Sequence, residues 1–326
     1  MKFVQRLGLA IGALMWVVSC GGSKTTSGGA GNGEQTGSDA GTVTPAGPTA
    51  ASTGIGPIPV AASEEKTVCI IKNLGNAEDL VATSFVTDLA PGSHHLIVYR
   101  STATAEQLTP TACSPFQGIL QGDVPLVIVT REHLEYDLPK GVGVPLAPNQ
   151  MLKIEAHYIN ATATAIQGQG TVAIHGQTAA ATGPYQAADV GLWGTTQISV
   201  PARGTFTTPT NFQAGAAGMN IFALTTHEHH LGTEVKVWSS AAKGDTADQV
   251  ADDKDWGSPL LEQFNPPLAQ DGTKGLSYQC SWSNTTDQAV SFGESALNEM
   301  CFVIFYYYPS HGTDLCLDGS CMGRTQ

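Results

Sequence analysis

At 326 residues and 41% hydrophobic content, the chain has room for about two domains of ~150 residues each. Its 37 Gly and 18 Pro, with only 13% charged residues, favour many short strands joined by tight turns and argue against a helical bundle. The 15 Lys and Arg against 28 Asp and Glu give a formal net charge of −13. Such a surface repels a phosphate backbone, which excludes nucleic acid as a partner.

Residues 1–20 read as an export signal. Lys2 and Arg6 flank the start of an apolar run over 7–18, too short to span a membrane as a mature helix. The run ends in Val17-Val18-Ser19-Cys20 followed by Gly21-Gly22, which resembles a bacterial lipoprotein signal. That resemblance implies lipidation of Cys20 and sorting to the outer membrane, so the expected contact with a membrane is through the lipid alone. Residues 21–57 are mostly Gly, Ser, Thr and Ala and have too little apolar area to offset ordering, so a flexible tether is expected.

Beyond the tether, apolar, β-branched or aromatic runs bounded by turn residues predict strands over 67–72, 96–99, 126–130, 152–159, 170–175, 197–200, 219–226, 234–238, 276–282, 289–292 and 300–308. Convincing helical periods are almost lacking. Strands at this spacing indicate sandwiches or barrels. The small, turn-rich stretch 176–185 is the expected internal boundary, which gives an all-β chain of two β-sandwich domains, 58–180 and 181–326.

Of seven Cys, setting Cys20 aside as the anchor leaves Cys69, Cys113, Cys280, Cys301, Cys316 and Cys321. An even set in an exported protein reads as three disulfides, with fifteen connectivities open. The pairing favoured is Cys69–Cys113, Cys280–Cys301 and Cys316–Cys321, the first two each within one domain.

Six of the nine His fall in three places: His94-His95, His157, and His227, His229 and His230. On an extended strand His227 and His229 share a face and project two imidazoles into one space, with His230 on the opposite face. If Met300 adds its thioether from a neighbouring strand, the set selects copper, especially Cu(I). His94 and His95 are adjacent and would point apart on a regular strand, but the preceding Pro91-Gly92-Ser93 offers a turn or bulge that brings both to one metal. Alternation over 152–159 sets Lys153, Glu155 and His157 on the face away from the core, where His157 completes a His-only site.

Together these segments resemble the copper type II, ascorbate-dependent monooxygenases. The resemblance runs from about Thr67 to Cys316. It rests on TVCIIKNL, the HH pair, EAHYIN, the HxHHLG block, CSWSNTT and GESALNEMCFVIFYYYP, in that order. It implies two jelly-roll-like sandwiches in tandem facing a solvent-filled cleft, with two copper ions. One copper would be held by His94, His95 and His157, and the oxygen-binding one by His227, His229 and Met300. The disulfides Cys69–Cys113 and Cys280–Cys301 are also implied.

The reaction implied is hydroxylation of a substrate C–H bond with O2 and an external reductant, ascorbate or another donor. Glu155, Glu228, Tyr158 and Asn298 are candidates to orient ring nitrogens, with surface exposure the competing expectation for the two Glu. The Arg, Asn and Tyr with which the peptide-hydroxylating members grip substrate are replaced here by Thr225, Phe302 and Ile304, so a small, more apolar substrate is expected; separately, the protein is expected to be a monomer. The alternatives are a non-catalytic copper-buffering lipoprotein and a structural surface protein.

Overall fold

A computed structural model of the chain describes residues 49–322. The export signal, Cys20 and the tether up to residue 48 lie outside the described residues. The first half contains β1 (Thr49–Val60), β2 (Glu65–Asn73), β3 (Leu80–Leu89), β4 (Ser93–Arg100), β5 (Gln107–Ala112) and β6 (Val124–Val129). It continues with β7 (His133–Asp137), β8 (Val142–Leu146), β9 (Met151–Ile159), β10 (Ile166–Thr178) and β11 (Gln186–Ala187). These strands form a six-stranded sheet ordered β1-β10-β3-β8-β11, with β7 beside β3, and a five-stranded sheet ordered β5-β2-β9-β4-β6. Val81, Phe85, Ile97, Ile154 and Val172 are among the side chains fully buried in this half.

The second half contains β12 (Asp189–Gly194), β13 (Ser199–Val200), β14 (Thr205–Thr207), β15 (Asn211–Ala214), β16 (Asn220–His227), β17 (Gly232–Ser240) and β18 (Asp248–Asp253). It ends with β19 (Glu262–Ala269), β20 (Gly275–Ser283), β21 (Val290–Ser291), β22 (Phe302–Tyr308), β23 (Asp314–Leu317) and β24 (Ser320–Met322). A six-stranded sheet ordered β19-β16-β22-β12-β23-β24 faces a five-stranded sheet, β14-β20-β17-β18 with β15 beside β20. The pair β13-β21 makes a small third sheet. Trp193, Val237, Leu276, Trp282 and Phe305 lie in the core of this sandwich. The chain is all-β and jelly-roll-like, with all eleven predicted strands overlapping observed ones.

Strand β22 explains how the sandwiches meet. Side chains alternate across a strand, and here Val303, Phe305 and Tyr307 enter the second core while Phe302, Ile304 and Tyr306 join the apolar cluster of the first. The Tyr306 hydroxyl donates to the Ile128 carbonyl and lies 3.3 Å from it. Packed apolar contact therefore takes the place of the expected solvent-filled cleft along β22. Ile304, weighed as a substrate contact, is fully buried in this junction.

Residues 49–57, assigned to the tether, instead form the start of β1, paired with β10. Composition misleads here because main-chain bonding needs no large side chain, while Ile55 and Ile58 are buried. Glycine permits the close approach: a Cβ on Gly54 would lie 2.5 Å from the Gly170 carbonyl oxygen. The disulfides are Cys69–Cys113, Cys280–Cys301 and Cys316–Cys321.

Candidate metal centre

In β4 the pairing with β9 shifts between Ser93↔Tyr158 and His95↔His157, leaving His94 as the extra residue of a bulge. Gly92, at φ 85°, makes the preceding turn in a conformation other residues adopt with strain. The bulge turns two adjacent side chains toward one space. His95 and His157 are direct cross-strand neighbours, with ring centroids 5.0 Å apart.

Strand β9 is buried from Leu152 to Tyr158 on both faces, so Glu155 and His157 are not solvent-facing as alternation alone suggests. The second sandwich and the segment around Phe116 cover the outer face. Glu155 is fully buried. Its carboxyl accepts from the Tyr99 hydroxyl at 3.0 Å and the Phe116 N–H at 2.9 Å, and it bonds His95 Nε2 at 3.2 Å. The Glu65 carboxyl bonds His157 Nε2 at 2.9 Å and also accepts from the Ala296 N–H at 2.7 Å. One carboxylate thus ties the first sandwich to the segment that leads to Met300.

On the second sandwich, β16 ends at His227, opposite Phe302. Glu299, fully buried, accepts from the His229 and Leu231 N–H groups at 2.9 and 2.8 Å and from Trp282 Nε1 at 2.8 Å. That fixes the chain through the HxHH segment. His229 Nδ1 donates to the Asn298 carbonyl at 3.0 Å. A carbonyl can only accept, so the lone pair of this ring sits on Nε2.

Glu228 is buried too, contrary to the exposed alternative. Burial, with Glu299 and Asp253 nearby, pushes its carboxyl up to about 10. Tyr158 is buried, but its hydroxyl has no partner and holds none of the rings. His230 is exposed and outside the cluster.

The five predicted His ligands converge. The His94 ring lies 5.5 Å from His95, 5.2 Å from His157, 5.3 Å from His227 and 5.2 Å from His229. The resemblance implied two pockets across a gap; the two sets instead meet ring against ring. Ligand atoms lie within 4.8 Å of one another both in His94, His95 and His157 and in His94, His227 and His229.

Burial first, and the neighbouring imidazoles second, hold His94 and His227 well below the ordinary His value. Burial likewise takes His157 to about 3 and His229 to about 4. The rings are therefore neutral near pH 7, the state a metal ligand requires. His94 Nε2, His95 Nδ1 and His227 Nε2 are buried without any hydrogen-bond partner. Such orphaned atoms are costly in a protein interior, and a soft or borderline cation answers that need. The donor set fits copper.

Met300 is buried in the apolar cluster that joins the sandwiches. It lines a cavity of about 100 Å³ with Phe116, Leu192, Phe292, Glu294 and Phe302. Phe116 links this cavity to the cluster, with its ring 5.3 Å from His95 and 6.2 Å from His227. Glu65, Phe116 and Glu299 were not singled out from sequence. Only Glu299 carried a signal, as the residue immediately before Met300.

Residues 197–322 match the family described as copper type II ascorbate-dependent monooxygenase, C-terminal domain. No curated protein matches the chain. Among solved structures, the major capsid protein P2 of bacteriophage PM2 aligns at 11% identity, covering 78% of this chain and 96% of that one, with a TM-score of 0.34. A triple jelly-roll protein of an archaeal virus aligns at 7% identity over 82% of this chain and 60% of that one, with a TM-score of 0.21. The match over residues 197–322 supports assigning that stretch to the copper type II ascorbate-dependent monooxygenase family. His227, His229, Met300 and the Cys280–Cys301 pair all fall inside the matched stretch.

Proposed function

We propose that the chain is an exported copper-dependent monooxygenase that hydroxylates a C–H bond of a small, largely apolar molecule with O2 and an external reductant, ascorbate or another donor. In this reading Cys20 carries a lipid that holds the protein at the outer membrane, and the protein works as a monomer. His94, His95 and His157 would hold an electron-transfer copper, and His227, His229 and Met300 the copper at which oxygen meets substrate. Copper, when bound, supplies the redox chemistry by which one oxygen atom enters the C–H bond and the other leaves as water.

The chain's own groups set the stage for that chemistry. Glu155 and Glu65 pin His95 and His157, and the Asn298 carbonyl pins His229, so each ring presents one defined nitrogen. Phe116, Phe302 and Met300 line the small apolar cavity beside the rings. That lining excludes water and accepts the apolar part of a substrate. No cation on Thr225 is available for a substrate carboxylate, which disfavours peptides ending in glycine.

The observation that carries the reading is the HxH pair and Met300 in the matched domain, next to an apolar cavity that shares Phe116 with the imidazole cluster. Copper storage is the second reading, favoured by the contact of all five rings in one buried place. Reductant-dependent oxygen uptake by the copper-loaded protein, screened with candidate substrates, separates the two. Monooxygenase action gives uptake that Met300→Ala abolishes while copper at His94, His95 and His157 is retained. Storage gives copper binding without uptake.

A further inference from the structure

His94 stands apart from the other four imidazoles in belonging to both sandwiches' sets. It follows Gly92 and Ser93 in the β4 bulge, and its ring centroid is about equally far from His95 and His157 on its own sandwich and from His227 and His229 on the other. His95, His157 and His229 each have one nitrogen held by a hydrogen bond from their own surroundings. His94 Nε2 is buried with no such partner. Both ligand triads draw on His94, and a neutral imidazole offers a single nitrogen lone pair, so it binds one metal ion at a time.

We infer that His94 is a shared ligand for which two metal ions compete. An ion on His227 and His229 recruits His94 across the junction and leaves His95 and His157 as a pair. An ion on His95 and His157 takes His94 back and leaves the HxH pair to complete its shell with another donor. Loading of the two sites is therefore coupled: the ion that arrives first is held by three imidazoles, and the second binds more weakly. An ion on His94, His227 and His229 also clamps the sandwiches together.

This inference rests on the copper reading only for the identity of the ion. It is tested on the full chain by titration with Cu2+, read by electron paramagnetic resonance and by competition with a chelator of known affinity. His94→Ala is expected to weaken the first, three-imidazole event by at least about tenfold, since even the loss of an outer partner of a ligand costs that much, and to leave the second event, which has only a pair of rings, unchanged. His95→Ala and His227→Ala each leave one triad whole, so each is expected to keep the first event and weaken the second. His94→Gln, closer in volume, repeats the test if the alanine variant fails to fold.

The wild-type protein supplies a readout that needs no variant. Coupled sites change the spectrum of the first copper when the second equivalent is added, whereas independent sites give a two-equivalent spectrum that is a simple sum. Loss of the first event in His95→Ala or in His227→Ala, or spectra that add, overturns the shared ligand and leaves the copper reading standing. A chain that binds no copper overturns both.

Discussion

His94 and His227 sit on different sandwiches, yet their rings are 5.3 Å apart. The contact exists because the β4 bulge turns His94 outward while β16 ends at the same junction, where β22 packs one face into the first sandwich. The imidazole cluster and the apolar joint between the two halves therefore lie at one place in the fold.

A metal that binds only the folded chain stabilises it by mass action. Copper at about a thousandfold excess over its dissociation constant is expected to add roughly 4 kcal/mol and raise the melting temperature, with a chelator reversing the gain. Calorimetry with and without chelator checks this, and an unchanged transition contradicts it.

The metal-free chain is expected to lose stability on acidification. Burial holds His157 at about 3 and His229 at about 4 in the folded state, against an ordinary value of about 6.5 in the unfolded chain. Between those limits the unfolded state binds more protons, so stability falls as the pH drops from about 6.5 toward 4 and 3. Denaturant midpoints across that window give the slope, which His157→Ala and His229→Ala should each reduce.

Glu299 is the acceptor for three buried donors, so removing it leaves the His229 and Leu231 N–H groups and Trp282 Nε1 unpaired. Each orphaned donor costs about 1–3 kcal/mol. Glu299→Ala is expected to unfold at markedly lower denaturant and to lose copper affinity at His227 and His229, whereas Glu299→Gln keeps part of both. Urea titration together with copper titration distinguishes these outcomes from a purely local change.

At the far end of β4 from His94, Arg100 bonds Asp189, which also accepts from the Ser310 hydroxyl and the Gly312 N–H. Asp189 is buried, and a cavity of about 540 Å³ opens beside the pair. Arg100→Met strands the carboxylate and is expected to cost about 3 kcal/mol, the low end for breaking a buried pair because water reaches the cavity. Arg100→Met combined with Asp189→Asn should recover part of that loss in equilibrium unfolding.

Much of the site was legible because it is written in short spacings. The HxH period, the adjacent His94 and His95 after a Gly turn, and the even count of cysteines left once Cys20 is set aside each have a meaning that survives folding. The Phe302–Tyr308 run was recognisable as a strand, but that both its faces are buried depends on the other sandwich, which no periodicity reports. The same dependence hid the burial of Glu155 and His157, the role of Glu65, and the meeting of His94 with His227. Residues 49–57 were hidden by composition, since a Gly-rich edge can pair through its backbone alone.

The most direct test of copper chemistry at this junction is X-ray absorption at the copper edge on the reduced, loaded protein and on Met300→Ala. A sulfur scatterer beside the imidazoles in the wild type, lost in the variant with the copper count preserved, is the predicted result. Spectra with nitrogen ligands only, identical in the two proteins, would contradict it.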